Sequence, residues 1–183
     1  MNGRLRMLCV ASLLATLPES AAAKDRTPPR ITYDVIVACP AEEAWKAWTT
    51  AKGLESFLAR KAQVDLRVGG AYVIQFGPKE VQLPREPRIL QLDVPHTISF
   101  EWIIPLPNAT ARDPMTVVSV QVESVSGERC KVHLEHTGWS DRDRETEDFR
   151  YSRQSWKVVL ESLRTALTKR GQVEPTGGTV ERF

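Results

Sequence analysis

The stretch Pro40-Ala41-Glu42-Glu43-Ala44-Trp45-Lys46-Ala47-Trp48-Thr49 decides how the rest of the chain is read. Proline suits the first turn of a helix, and Glu42 and Glu43 fall where the helix dipole is positive. Trp45 and Trp48 are three apart and share a face. Just before this helix Ile31, Tyr33, Val35, Val37 and Cys39 occupy every second position, the period of a half-buried strand. Just after it, Gly53 is expected to break the helix and Leu54 to Leu58 to form a second short one.

Further outward the pattern turns to strands. Val64, Leu66 and Val68 alternate up to Gly69-Gly70, a hairpin signal, and Tyr72, Ile74 and Phe76 alternate on the return. Residues 77–87 are loop by composition. Ile89 to Val94 is the next strand, Pro95-His96 its turn, and Ile98, Phe100 and Trp102 alternate after it. Residues 105–114, with three prolines and Asn108, read as a longer loop. Val118, Val120 and Val122 form a strand, Ser126-Gly127 a turn, and Cys130, Val132, Leu134 and His136 a last strand. Asp141 to Asp148 suits the start of a helix. Phe149, Trp156, Leu160, Leu163 and Leu167 then share one helical stripe, with Val159 and Ala166 beside it, until Gly171 ends the helix. Short connections make neighbouring strands antiparallel, and a lone amphipathic final helix must bury its stripe on the sheet. The fold class expected is α+β.

Composition narrows the function. The chain has 183 residues, enough for one domain with a sizeable core. A formal charge of +2, with the charges scattered, argues against nucleic acid as a partner. Arg4 and Arg6 precede a short apolar stretch, Met7 to Leu17, followed by Pro18 and Ala21-Ala22-Ala23. That is the layout of a secretory signal peptide, too short in its apolar part to span a bilayer. Residues 1–23 are therefore expected to be removed and the product to be periplasmic or secreted. Residues 24–30 read as a polar lead-in, 31–171 as the folded domain, and 172–183 as a disordered tail. The mature chain would keep Cys39 and Cys130, in a compartment where thiols can pair.

Pro40 to Thr49, Val64 to Gly70, Phe100-Glu101-Trp102, Leu134 to Gly138 and the Trp156 helix, in this order and spacing, resemble the START-like (SRPBCC, helix-grip) superfamily. Within it the chain is similar to the branch named after the activator of the heat-shock-protein-90 ATPase. The likeness spans about residues 31 to 170. It implies a curved antiparallel sheet wrapped around a long C-terminal helix, with two short helices after the first strand and a hydrophobic cavity between sheet and helix. Such cavities hold lipids, polyketides or other apolar molecules. Relatives include binding proteins, cyclases and cochaperones, so the fold leaves function open. Export would separate this protein from a cytosolic chaperone and from ATP. The expected function is an exported domain binding a small apolar molecule. The alternatives are a cyclase- or hydrolase-like enzyme using the same cavity, and a protein-interaction module of the cell envelope.

The expected ligand-binding set is Tyr72, Phe76, Phe100, Trp102, Val120, Leu134, His136, Ser152, Trp156 and Leu160, chosen by shared inward parity and by the resemblance. His136 reads either as a polar group meeting the ligand, or an acid/base, or as a hydrogen-bonded core histidine. Tyr72 and Tyr151 are the other acid/base candidates, and Tyr151, Ser152 and Gln154 could contact a ligand or face solvent. Cys130, His133 and His136 have metal-like spacing, but on a strand His133 points away from the other two, so no metal is expected. No phosphate loop or nucleophile elbow is present in the sequence, and no cofactor is expected. The resemblance pairs the first and last strands antiparallel. This brings Cys39 and Cys130 together as an expected disulfide, or as two buried reduced thiols.

Overall fold

The computed structural model describes residues 27–77, 85–103 and 115–171. The expected signal segment, the 172–183 tail, and most of the 77–87 and 105–114 loops lie outside the described residues.

Strand β1 (Ile31–Val37) leads into helices α1 (Ala41–Thr49) and α2 (Ala51–Glu55). Then come β2 (Lys61–Val64), β3 (Tyr72–Gln75), β4 (Ile89–Asp93), β5 (Thr97–Trp102), β6 (Thr116–Ser126) and β7 (Arg129–Thr137). A single 3-10 turn, Asp141–Glu145, precedes the long helix α3 (Glu147–Gly171). This is the expected α+β, helix-grip order.

The alternating residues explain the layers. Five strands form one antiparallel sheet in the order β1-β7-β6-β5-β4. Its inward face stacks Phe100 on Val118 on His136, and Ile98 on Val120 on Leu134, across β5, β6 and β7. The outward face is polar: Ser99 and Ser119 hydroxyls meet at 2.8 Å, and His133 Nδ1 lies 2.9 Å from the Asp34 carboxylate. A period of two turned to one buried face is what makes this register stable, since a slip of one residue would bury the polar set. On α3, Phe149, Trp156, Leu160, Leu163 and Leu167 are buried against that inward face. Burying a large apolar side chain is worth about 1.5–3 kcal/mol, so this stripe holds α3 down. Its far side carries Lys157, Glu161 and Arg164, all exposed.

Three local expectations need correction. The break between the short helices falls at Thr50, not Gly53. The Thr50 hydroxyl accepts the Gly53 N–H at 3.0 Å and caps α2, and Gly53 sits inside α2. Glycine is needed there for closeness: a Cβ at 53 would lie 2.6 Å from the Ala47 Cα of α1. Second, β2 ends at Val64, and Leu66 and Val68 are exposed instead of inward. Local turns take over, with Arg67 N–H donating to Asp65 O and Gly70 N–H to Arg67 O, through Gly69 at φ +79°. Third, β2 and β3 form their own two-stranded sheet. It is fastened to the edge of the larger one by bonds from Gly69 N–H to Ile89 O (2.8 Å) and from Ile89 N–H to Gly70 O (2.9 Å).

Candidate functional site: the aromatic interior around His136

Five elements deliver side chains to the space between sheet and α3. Strand β3 supplies Tyr72; β5 supplies Phe100 and Trp102; β6 supplies Val120; β7 supplies Leu134 and His136; α3 supplies Ser152, Trp156 and Leu160. The β7–α3 connection adds Trp139. That connection is stiffened by Asp143, whose carboxylate accepts from the Ser140 N–H at 2.6 Å and the Ser140 hydroxyl at 2.9 Å.

The rings pack directly on one another. Tyr72 and Phe100 are stacked with centroids 4.0 Å apart, and Trp102 and Trp156 lie 4.6 Å apart at 45°. The imidazole of His136 is held among three indoles, with centroids 4.7 Å from Trp139, 5.9 Å from Trp156 and 6.5 Å from Trp102. Trp156 Nε1–H donates to His136 Nδ1 at 3.0 Å. An indole N–H can only donate, so Nδ1 accepts and a neutral His136 carries its proton on Nε2. The hydroxyl of Tyr72 donates to Trp48 O at 2.8 Å, and complete burial pushes its pKa well above the ordinary 10.0. That phenol stays protonated and committed to the backbone of α1.

Nine of the ten expected ligand-binding residues converge here. Phe76 does not line the interior: it lies one residue beyond the end of β3 and is 38% exposed. Past the ladder nothing enforces strand parity, and its ring rests edge-on against Trp102 from outside, centroid to centroid 5.8 Å. Tyr151 and Gln154 are exposed, whereas Ser152 on the same turn is buried. Trp139 is the interior residue that sequence reasoning left out of the set; it follows Gly138 outside any strand or helix, so no period could aim it.

Among the described residues the expected cavity is closed. Phe100, Val120, Leu134 and His136 are each 0% exposed, so no water-sized space touches them. Their neighbours' rings fill the volume between sheet and helix. An open groove of about 560 Å³ lies elsewhere, between Ser56 and the outer side of α3 at Lys157, Glu161 and Thr165. Among the described residues no cluster of three His, Cys, Asp or Glu could hold a metal. Cys130 and His136 face inward on β7, while His133 faces out toward Asp34. At the far end of the same strand the thiols of Cys39 and Cys130 are buried and unbonded, Sγ to Sγ 3.8 Å.

A short helical pair, an antiparallel sheet and a long final helix laid across its aromatic face define a helix-grip domain. The chain belongs to the family described as Activator of Hsp90 ATPase homolog 1-like protein, which it matches over residues 38–168. Among solved structures it is similar to the protein MLL2253 of Mesorhizobium loti, at 18% identity and a TM-score of 0.64, covering 77% of this chain and 98% of that one. It is similar to the Aha1 dimer of Colwellia psychrerythraea at 21% identity and a TM-score of 0.59, covering 76% and 96%. An Hsp90 activator from Plasmodium falciparum matches at 22% identity and a TM-score of 0.55, covering 75% and 96%. These likenesses establish the fold. No curated protein matches the chain.

Proposed function

We propose that the chain is an exported binding domain for a small apolar molecule carrying one polar group, taken up between the sheet and α3. The observation that carries this reading is the Trp156–His136 hydrogen bond at 3.0 Å, set in an otherwise apolar interior of aromatic rings. Aromatic walls with very few convergent polar atoms are what small-ligand sites are made of. The imidazole and the indole N–H are a polar pair set within an apolar chamber. Uptake requires rings to part, because the interior side chains are buried against one another. Phe76 marks the accessible end, since it is half exposed and covers Trp102. Among the described residues no helix is long and apolar enough to cross a membrane.

A second reading has one observation in its favour. The filled interior is what a protein-interaction module would have, with its binding surface outside. The two readings separate in a single series. Protein purified from its native compartment is extracted and small molecules are identified by mass spectrometry, and an apolar fluorescent probe is titrated into stripped protein. A co-extracted apolar molecule and saturable quenching of tryptophan emission, weakened by Trp102→Ala, are expected. A clean extract together with no saturable quenching overturns the ligand reading in favour of the interaction module.

A further inference from the structure

The amino-terminal and carboxy-terminal strands of the sheet are neighbours, and β1 and β7 run antiparallel with Val37 opposite Cys130. Cys39 lies two residues beyond Val37, where the chain bends out of the strand toward α1. That bend swings its side chain inward, next to Cys130. The two sulfurs lie 3.8 Å apart and the residues are 5% and 0% exposed. No other cysteine lies among the described residues, so each thiol has one possible partner there.

We propose that Cys39 and Cys130 are the site of an intramolecular disulfide that ties the β1–α1 junction to the start of β7. The sulfurs must close from 3.8 Å to a bond length of about 2.05 Å, within reach of a χ1 adjustment at two side chains. The oxidant is a disulfide-bearing molecule, either a disulfide oxidoreductase or a small-molecule disulfide. One cysteine thiolate attacks the oxidant's disulfide, forming a mixed disulfide and releasing one oxidant thiolate. The second cysteine thiolate attacks the chain's own sulfur in that mixed disulfide. The protein S–S bond forms, the oxidant leaves as a dithiol (an oxidoreductase) or as two thiols (a small-molecule disulfide), and two electrons and two protons have passed to it. Burial means that the first step belongs to the folding chain, before β1 docks on β7. The second step suits the folded arrangement, which holds the two sulfurs 3.8 Å apart.

The cross-link spans 91 residues of sequence and closes the two-helix, five-strand middle of the chain into one loop. It restrains the unfolded chain far more than the folded one, in which the ends already touch. The inference rests on the strand register and the sulfur distance, and holds whether or not the ligand reading above survives.

The test uses the full chain without its first 23 residues. It is unfolded, reduced, and refolded with oxidised glutathione as the disulfide source, and its thiols are then counted after denaturation without reductant. No titratable thiol, a monomer on a non-reducing gel, and a Tm higher than that of dithiothreitol-treated protein by roughly 10 °C are expected. Two free thiols per chain after this treatment overturn the inference, as does an oxidised form that melts below the reduced one. The count needs no variant. The Cys39→Ala, Cys130→Ala double variant should show the same Tm with and without dithiothreitol; a shift that persists in it also overturns the inference.

Discussion

Trp156 does two jobs at once: its ring fills the interior against Trp102, and its N–H is the donor to His136. The two can be separated. Trp156→Ala removes both and should destabilise the fold by about 3–5 kcal/mol, the range for large buried aromatics. Trp156→Phe keeps an aromatic ring but leaves the buried Nδ1 of His136 without this donor, which costs about 1–3 kcal/mol. Urea unfolding of both variants checks the order; a Trp156→Phe protein as stable as the parent would mean that the hydrogen bond contributes nothing. A second residue-scale effect concerns acid. The Arg85 guanidinium donates to both carboxylate oxygens of Glu101, at 2.7 Å for Nη2 to Oε1, and Arg88 N–H donates at 3.1 Å. Chiefly through Arg85, the Glu101 carboxyl is held below its ordinary 4.5. A pKa lower in the folded state stabilises above the ordinary value and is lost as pH falls through the folded one. Because Arg85 is 41% exposed, the contribution is at most about 1 kcal/mol. Glu101→Gln should therefore lower the urea midpoint at neutral pH and lose less than the parent as pH falls through and below the ordinary 4.5. An identical acid loss in both proteins would remove Glu101 from the account.

At the scale of elements, the contact between α1 and α2 depends on a missing side chain. A Cβ at position 53 would meet Lys46 O and the Ala47 Cα of α1. Both are backbone atoms that cannot rotate away, so Gly53→Ala must push the helices apart. It should cost about 1–3 kcal/mol, the usual penalty of overpacking, although alanine is the better helix former. A stable Gly53→Ala protein, by thermal melt, would show that α2 is free to shift. The β2–β3 sheet teaches a related lesson. Its strands are only four residues each, and its turn is held to β4 by the Gly69, Gly70 and Ile89 backbone bonds. The exposed Leu66 and Val68 lie in that turn. Alternation in the sequence continued there after the ladder had stopped, because side-chain identity records what could pair and not what does.

At the scale of the molecule, residues 1–23 carry the expectation that the chain leaves the cytosol. Mature protein from its native source should begin at Lys24, lacking everything through Ala23. Intact-mass analysis of the native protein decides this: a chain starting at Met1 and recovered from the cytosol would refute export. A removed leader would place a member of this family away from cytosolic ATP.

The order of elements, the α+β class and the burial of most interior residues were legible locally. Strand alternation names Val132, Leu134 and His136 as a face, and helical spacing names Trp156, Leu160 and Leu163 as a stripe, because backbone geometry alone sets those periods. What could not be read locally depends on distances between elements. That Trp156 donates to His136, that Trp139 completes the cage, that Phe76 falls outside it, and that the space is filled and not hollow all follow from how α3 settles on the sheet. Side-chain volumes from five elements had to be packed together before any gap could be known. The two thiols belong to both accounts. Parity turned each inward, but only the β1–β7 register and the bend at Cys39 brought the sulfurs to 3.8 Å. Position along the chain sets which way a side chain points; which partner it meets is set by the packing of the whole molecule.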